Sequence, residues 1–437
     1  MMSDIDSRVS ELEAENARLR DELRVLQEKY AALDDSTTAR IQSLTDELEL
    51  LAEANQLLME NQATAKRMSS VAASTETPLS QIPDELLLPG DGLTTTQRAV
   101  LEDVHAAGNL LSIASPRTLP HLVATGGVDK QIVVSDWKKA RKLCVYQASA
   151  PVLGLAFNPQ YPQFFVACFM DAKHALLRLH ELDGSWQIEE VAMFHDHTRP
   201  GAMRVQWSSS GDLFATGSSD KSINVYRCSA LAATGSDIPQ CEKVKSFYFN
   251  GIVEAIAFVP AVSEGAESEI RNELLAIAVR DDCYVHYVDC LTMEKERINM
   301  NQDGIEHVSY TIMDLRASPS GKYLLAATDK DRHFVFPIKG NAVLRSLYGH
   351  KAGPYSQPRV CWHPSEKYVV SNTEDSGRLY VWCLASERVI DTIDAHDKLV
   401  RDLSYDATDP DIGAPMMLTV SYDKRIKVWQ SSAGKTS

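Results

Sequence analysis

His195, Asp196 and His197 stand in a row, and two imidazoles flanking a carboxylate are a donor set that a loop can offer to a metal ion. No cysteine or further histidine lies near them in the sequence to complete a tetrahedral set. No glycine-rich run is spaced to cradle phosphates, and no G-x-S-x-G elbow presents a nucleophile beside a base. The segments 124–127 (ATGG) and 215–218 (ATGS) end strand-like runs and are not nucleotide loops. Eight cysteines (144, 168, 228, 241, 283, 290, 361 and 383) stand singly with no C-x-x-C pair, which argues against zinc and for reduced thiols in the cytosol or nucleus. These spacings predict no catalytic residue, no metal, no cofactor and no small-molecule substrate.

The chemistry-bearing residue types are instead distributed over a repeat. Its last copy, residues 395–430, contains three β-rich runs, LVRDLSY, MMLTVSY and RIKVWQ, with Asp423-Lys424 as a tight-turn signal between the second and third. Within it His396, Thr419, Asp423 and Trp429 recur in type in other copies spaced by roughly 45–50 residues. The first copy has Thr125, Asp129 and Trp137, and the second has Asp171 alone. The third has His197, Thr216, Asp220 and Tyr226, and the fourth Asp281 and Tyr287. The fifth has Asp331 and Phe336, and the sixth His350, Ser371, Asp375 and Trp382.

This pattern resembles the WD-repeat family of β-propellers. The resemblance implies an all-β, seven-bladed WD-repeat propeller over residues 96–431. It also implies that His396, Thr419, Asp423 and Trp429 form one hydrogen-bonded relay. Such a relay is a structural device, because a buried indole N–H, hydroxyl and imidazole are costly unless each finds a partner. His197 is then claimed by blade three, which leaves His195–His197 without a metal. Each blade takes its outer strand from the start of the next repeat, so the run QRAVLEDVH (97–105) is expected to close blade seven and remove its open edge. Leu155/Phe157, Val205/Trp207, Ile256/Phe258, Val360/Trp362 and Leu403/Tyr405 are expected between blades.

The same resemblance places partners on the narrow face, where inner strands begin. Aligning those strands brings Leu153, Met203, Arg204, Glu254, Met313, Asp314, Pro358, Arg359, Arg401 and Asp402 to the rim, and longer loops add His307, Lys351 and Tyr355. A rim of Arg, acids, Met and Tyr has hot-spot composition. Arg204, Arg359 and Arg401 together suit an acidic or phosphorylated peptide. Insertions at 230–243, 261–273 and 406–415 are expected in loops of the opposite face.

Residues 4–65 carry a second pattern. From Ile5 the apolar positions step by four and three through Val9, Leu12, Asn16, Leu19, Leu23, Leu26, Tyr30 and Leu33, a 3.5-residue period that predicts a coiled coil. With Val9 at a, the residues Ile5, Leu12, Leu19, Leu26 and Leu33 fall at d, and Asn16 at a selects a parallel, in-register dimer. Arg8 would face Glu13 of the other chain, Glu15 would face Arg20, and Lys29 would face Asp34, so the helix complements a copy of itself over residues 5–62. The step resets near 37–41, a stutter. Only MMSD precedes Ile5, so the Lys/Arg-rich helix of a DNA-binding zipper is missing.

Residues 69–95 read as a Ser/Thr/Pro linker in which PDELLLPG packs on the next domain, with a short docking motif as the other reading. Residues 432–437 read as a tail. The net charge is −16, with 8 basic and 15 acidic residues in 1–68, which argues against nucleic acid and anionic membranes as partners. No apolar run reaches the ~18–20 residues of a membrane-spanning helix, and the start lacks the basic and apolar regions of a signal peptide. The expectation is a non-enzymatic scaffold in the cytoplasm or nucleus, binding proteins and dimerising through its helix. The alternative is a substrate-receptor or regulatory subunit of a larger enzyme complex, such as a ubiquitin ligase or corepressor, in which the helix pairs with a different one.

Overall fold

The computed structural model describes residues 8–9, 12–31, 42, 45, 82–90, 92–229, 239–263, 270–353, 357–372, 374, 376–409, 411 and 413–433. The chain divides into two units, Met1–Glu76 and Thr77–Ser437.

In the first unit residues 12–31 are one helix, α1. Its outer face carries Arg18–Glu22 and Arg24–Asp21 ion pairs. Leu12, Leu19, Leu23 and Leu26 are 52–64% exposed, so the apolar seam expected of a coiled coil faces solvent along the chain's own helix. Asn16 lies on the same helix. Leu33 and the stutter at 37–41 lie outside the described residues.

The second unit is built from seven four-stranded antiparallel sheets, plus one two-stranded hairpin in the loop after the inner strand of blade four. The inner strands begin with Leu110–Ala114, Val152–Phe157, Met203–Trp207, Val253–Val259, Ile312–Ala317, Val360–Trp362 and Val400–Thr408, in blade order. Each inner strand neighbours the next, and the seventh neighbours the first, which closes the ring. Six of the seven second strands, such as Phe164–Phe169 and Leu274–Val279, are buried at every position, and in the seventh, Pro415–Ser421, all but the first residue is. They read as unbroken apolar runs because both faces of each blade are covered by neighbouring blades. Outer strands alternate, as in Arg388–Asp394, because one face meets water.

Seven apolar clusters of described residues fill the seven gaps between blades. The expected inner-strand pairs all lie in these gaps, with Trp207, Phe258, Trp362 and Tyr405 each under 9% exposed. Polar stitches run beside them. The Trp207 and Trp362 indoles donate to the Ala156 and Arg316 carbonyls of the preceding blade. Gln206 accepts the Phe258 amide of the following one.

Blade seven is completed by Leu93–Leu101, antiparallel to Ile426–Ala433. The closing strand is therefore N-terminal, as expected, but it starts at Leu93 and ends before His105. Thr94 and Thr95, read from sequence as linker, belong to that strand. The described part of the linker, 82–90, packs on the ring through one helical turn, Asp84–Leu87 (α2).

The expectation of eight unpaired thiols needs correction. Cys228 and Cys241 are direct cross-strand partners in the outer hairpin of blade three and are joined by a disulfide. Their separation of 13 residues spans a loop whose length hides the pairing in the sequence. Cysteine usage therefore carries no argument about a reducing compartment. Among the described residues, no helix is long and apolar enough to cross a membrane.

Candidate functional site

In blade seven the expected relay is complete. His396 Nδ1 lies 2.9 Å from Asp423 Oδ2, His396 Nε2 lies 2.8 Å from Thr419 Oγ1, and the Trp429 indole donates to Thr419 Oγ1 at 2.9 Å. An indole N–H can only donate and a carboxylate can only accept, which fixes the two ends of the chain, and the Nδ1–H tautomer of His396 sets the direction between them. The Trp429 N–H gives to Thr419, the Thr419 hydroxyl gives to His396 Nε2, and His396 Nδ1–H gives to Asp423. Burial pushes the Asp423 carboxyl up, but hydrogen bonds from His396 and from the Arg425 and Asp397 amides outweigh it and hold it at about 2.

A hydroxyl, an imidazole and a carboxylate in that order are also the parts of an acyl-transfer triad. Here Thr419 is fully buried and its oxygen already takes the indole proton, so no substrate carbonyl reaches it. The set holds the loop before blade seven to the turn of that blade.

Blade three repeats the relay with His197, Asp220 and Thr216 at 2.9–3.0 Å. Tyr226 stands where the indole would be and donates to Asp196, which also pairs with Lys243 at 2.6 Å. His197 and Asp196 are thus consumed by the blade, and His195 is exposed. Among the described residues no group of three or more His, Cys, Asp or Glu is placed to hold a metal.

Other copies depart from the sequence reading. In blade one His105, which that reading missed, bonds Asp129 and Thr125 at 3.0 Å. Its distance of 20 residues from Thr125 lies close to the 19 between His197 and Thr216, and that was the available signal. Trp137 is not the relay indole. It lies beyond the third strand and donates to the Pro120 carbonyl, while Ser135 occupies the register position. In blade two Ser149 replaces the histidine and donates to Asp171. In blade four the turn carboxylate is Asp282, bonded to the Tyr284 amide and His286, and Asp281 is the left-handed residue beside it at φ 56°. In blade five Asp331 instead accepts the Ala352 amide of the next loop. In blade six His350 does not meet Ser371. His333, one blade earlier, takes that hydroxyl at 3.1 Å and stacks on His350 with centroids 4.2 Å apart. Trp382 donates to the Tyr348 carbonyl, and Asp375 lies outside the described residues.

The rim residues fall into two groups. Met203, Met313 and Pro358 are buried, whereas Leu153 is half-buried and His307 and Lys351 are exposed. Tyr355 lies outside the described residues. The charged ones cluster. Arg204 donates from Nε to the Glu254 carbonyl at 2.6 Å, and the buried Glu254 carboxylate takes Arg280 at 2.6 Å. Asp314, also buried, pairs with Arg359 and Arg316 at 3.4 Å and accepts the Val360 amide of the next blade. Asp402 accepts the Ile113 amide at 3.0 Å, the same stitch made across the ring closure.

Five arginines (204, 280, 316, 359 and 401) therefore surround three acids (Glu254, Asp314 and Asp402) in a chain that is acidic as a whole. Burial, then the nearby Arg359, pushes Arg204 down to about 9 and Arg401 down as well. Burial also raises Asp402. Arg401 is the one of the three expected arginines whose side chain makes no hydrogen bond or ion pair among the described residues.

Asp402→Ala orphans the Ile113 amide at the ring closure. It should cost about 1–3 kcal/mol, whereas Asp402→Asn, which keeps an acceptor, should cost less than half of that. Equilibrium urea denaturation checks the difference.

Residues 188–227 and 387–430 match the family profile described as WD domain, G-beta repeat. Each match begins in or just before the outer strand of one blade and ends in the third strand of the next, in blades two to three and six to seven. The chain is also 23% identical over 114 residues to GID complex subunit 7 of Schizosaccharomyces pombe. That similarity covers 26% of this chain and 22% of the relative, about a fifth of the relative's own length.

Proposed function

Given that the chain is a WD-repeat β-propeller, we propose that it is a non-catalytic protein-interaction scaffold whose partners bind at the arginine-rich rim. The observation that carries this reading is the excess of arginine over acid at the inner-strand starts. Arg401 has no partner of its own there among the described residues, and Arg359 is buried with its Nε unpaired. An acidic or phosphorylated peptide segment supplies the missing charge with bidentate geometry. Arg204 and Arg359 hold Glu254 and Asp314 in place, so they shape the rim as well as charge it.

The helical unit adds a second element to the proposal. An exposed stripe of four leucines, with Asn16 between the first two, is a seam in search of a matching helix. A second copy provides it, which doubles the number of rims and raises apparent affinity for a repeated partner by ~10²–10⁴. A subunit role in a larger enzyme complex, with the helix paired to another protein, is the second reading. It is favoured by the similarity to a protein named as a complex subunit.

The test is affinity purification with the full chain, an Arg401→Glu variant, and a Leu19→Glu/Leu26→Glu variant. Arg401→Glu should weaken rim partners by about tenfold or more and spare those of the helix. Recovery of the same partners at the same level by Arg401→Glu would remove the rim from the proposal. Light scattering on the helix variant should show half the mass of the parent if two copies pair. An unchanged mass would leave the hetero-complex reading.

A further inference from the structure

Inner strands begin at the arginine rim, so they end, and second strands begin, on the opposite face. There Ile82–Gly90 lies in a groove between blades five and six. Leu86 is 2% exposed and joins Leu325, Trp362 and Trp382 in the core between these blades. Glu85 accepts the Tyr323 hydroxyl at 2.8 Å and pairs with Lys322 at 3.1 Å. The groove also reads the segment's backbone. Arg345 Nη2 donates to the Leu86 carbonyl at 2.8 Å, and Lys367 Nζ to the Pro89 carbonyl at 3.5 Å. At Gly90 a Cβ would lie 1.8 Å from the Tyr368 hydroxyl, so a larger residue there would have to displace that ring.

Three features make this a peptide site and not simply a stretch of packed chain. Arg345 is 3% exposed and spends a guanidinium nitrogen on a main-chain carbonyl of the segment, and its Nε has no partner among the described residues. A buried arginine aimed at a bound backbone is a recognition device, since without that carbonyl it would face an open apolar hole. The charges are complementary: Lys322 pairs with Glu85, and the cationic groups of Arg345 and Lys367 donate to the Leu86 and Pro89 carbonyls of the same acidic segment, in a chain that is acidic as a whole. Finally, α2 is one turn of four residues with no side-chain cap, too short to be helical by itself, so the groove imposes its shape. One leucine is its only fully buried anchor, and Leu88 is 56% exposed. Such an occupant is held largely by its tether to the strand that begins at Leu93.

We propose that the groove between blades five and six recognises short segments of the pattern apolar-Pro-acid-acid-Leu. The chain's own Ile82–Gly90 fills it in cis, and a partner protein carrying such a segment enters by displacing it. This uses the face opposite the rim and does not depend on the rim being a docking site.

The probe is a fluorescent peptide of residues 82–90, IPDELLLPG, titrated onto full-length protein. A Leu86→Asp variant, with its own segment released, should bind it at least tenfold more tightly than the parent, and adding Lys322→Glu and Arg345→Ala should abolish binding. A folded Leu86→Asp variant that fails to bind overturns the proposal. Hydrogen exchange on the unmodified chain decides the matter if that variant does not fold. Excess peptide should accelerate exchange of the Leu86 and Leu88 amides, which are bonded to Pro83 and Asp84, and a peptide with aspartate in place of its central leucine should not. Unchanged exchange at saturating peptide overturns the proposal. A mass that doubles with protein concentration and halves again on adding peptide would make the occupant a second copy, and would overturn its assignment to a partner protein.

Discussion

Thr419→Val should lower the stability of the ring by about 2–6 kcal/mol, although it is close to isosteric and creates almost no cavity. Among the described residues of blade seven, this hydroxyl alone accepts the Trp429 N–H and donates to His396 Nε2. Valine leaves one buried donor and one buried acceptor without partners, each at a cost of about 1–3 kcal/mol. The corresponding Thr216→Val change in blade three should cost less. There the aromatic position is Tyr226, whose hydroxyl donates to Asp196 and keeps that acceptor when the Thr216 hydroxyl is lost, so His197 Nε2 is the group deprived of its main partner. The ranking is therefore Thr419→Val worse than Thr216→Val, read as the shift in denaturation midpoint. Equal shifts would mean that Trp429 does not depend on Thr419. A Thr419→Ser variant, which keeps the hydroxyl, should recover most of the loss.

Acidification from pH 7.5 to 5.0 should destabilise the ring by about 4 kcal/mol or more, before the depressed carboxyls of Asp220 and Asp423 are protonated. Burial depresses His174 to about 3 and His363 to about 4, and it lowers His105, His333 and His350 as well. A histidine whose folded pKa lies below its unfolded value stabilises the fold fully above about pH 6.5. It loses that contribution as the pH falls toward the folded value. At pH 5.0 the two valued groups account for about 2 kcal/mol each. The geometry gives the same sign. His174 is fully buried among Phe194, Phe214 and Tyr226 with neither nitrogen hydrogen-bonded among the described residues. His363 Nδ1 accepts the Ser365 amide, and His333 Nδ1 accepts the Thr328 amide, which only an unprotonated nitrogen does.

Asp402, raised by burial, works in the opposite direction, and the depressed carboxyls of Asp220 and Asp423 add to acid loss only below about pH 4. His174→Phe, which keeps the stack on Phe194, should be nearly neutral at pH 7.5 and should remove about 2 kcal/mol of the pH dependence. Thermal melts of both proteins at the two pH values provide the comparison, and parallel pH profiles would remove His174 as a contributor.

The ring was legible in the sequence wherever side-chain type and spacing recur together. Blade seven shows this best, because Asp423-Lys424 signals its turn, Thr419 and Trp429 occupy the positions that the register confirms, and His396 bonds both Thr419 and Asp423. Blade four was ambiguous because two aspartates adjoin. The left-handed backbone at Asp281 decides that Asp282 bonds the turn, and no spacing rule reveals a backbone angle. Blade six misled because His350 precedes Ser371 at a plausible distance, yet His333 reaches the hydroxyl across a blade boundary that the sequence does not mark. Trp137 misled by being the correct residue two positions too late.

At the rim, the strand starts were readable but the pairing was not. Whether an arginine is spent depends on neighbours from other strands, such as Arg280 on Glu254. The cross-strand pair Cys228–Cys241 was hidden for a similar reason, since its register is set by a hairpin with a long tip.

The strand Leu93–Leu101 pairs with one that is translated roughly 325 residues later, Leu101 lying opposite Ile426. At ~5–20 residues per second the early strand emerges from the ribosome roughly 15–65 s before its mate exists. During that interval each finished sector of the nascent ring leaves an unpaired edge, and the apolar flank of blade one has nothing from blade seven to cover it. Biosynthesis of this chain therefore passes through a long arc-shaped precursor, and its yield should depend on chaperone capacity during translation more than on the stability of the finished protein.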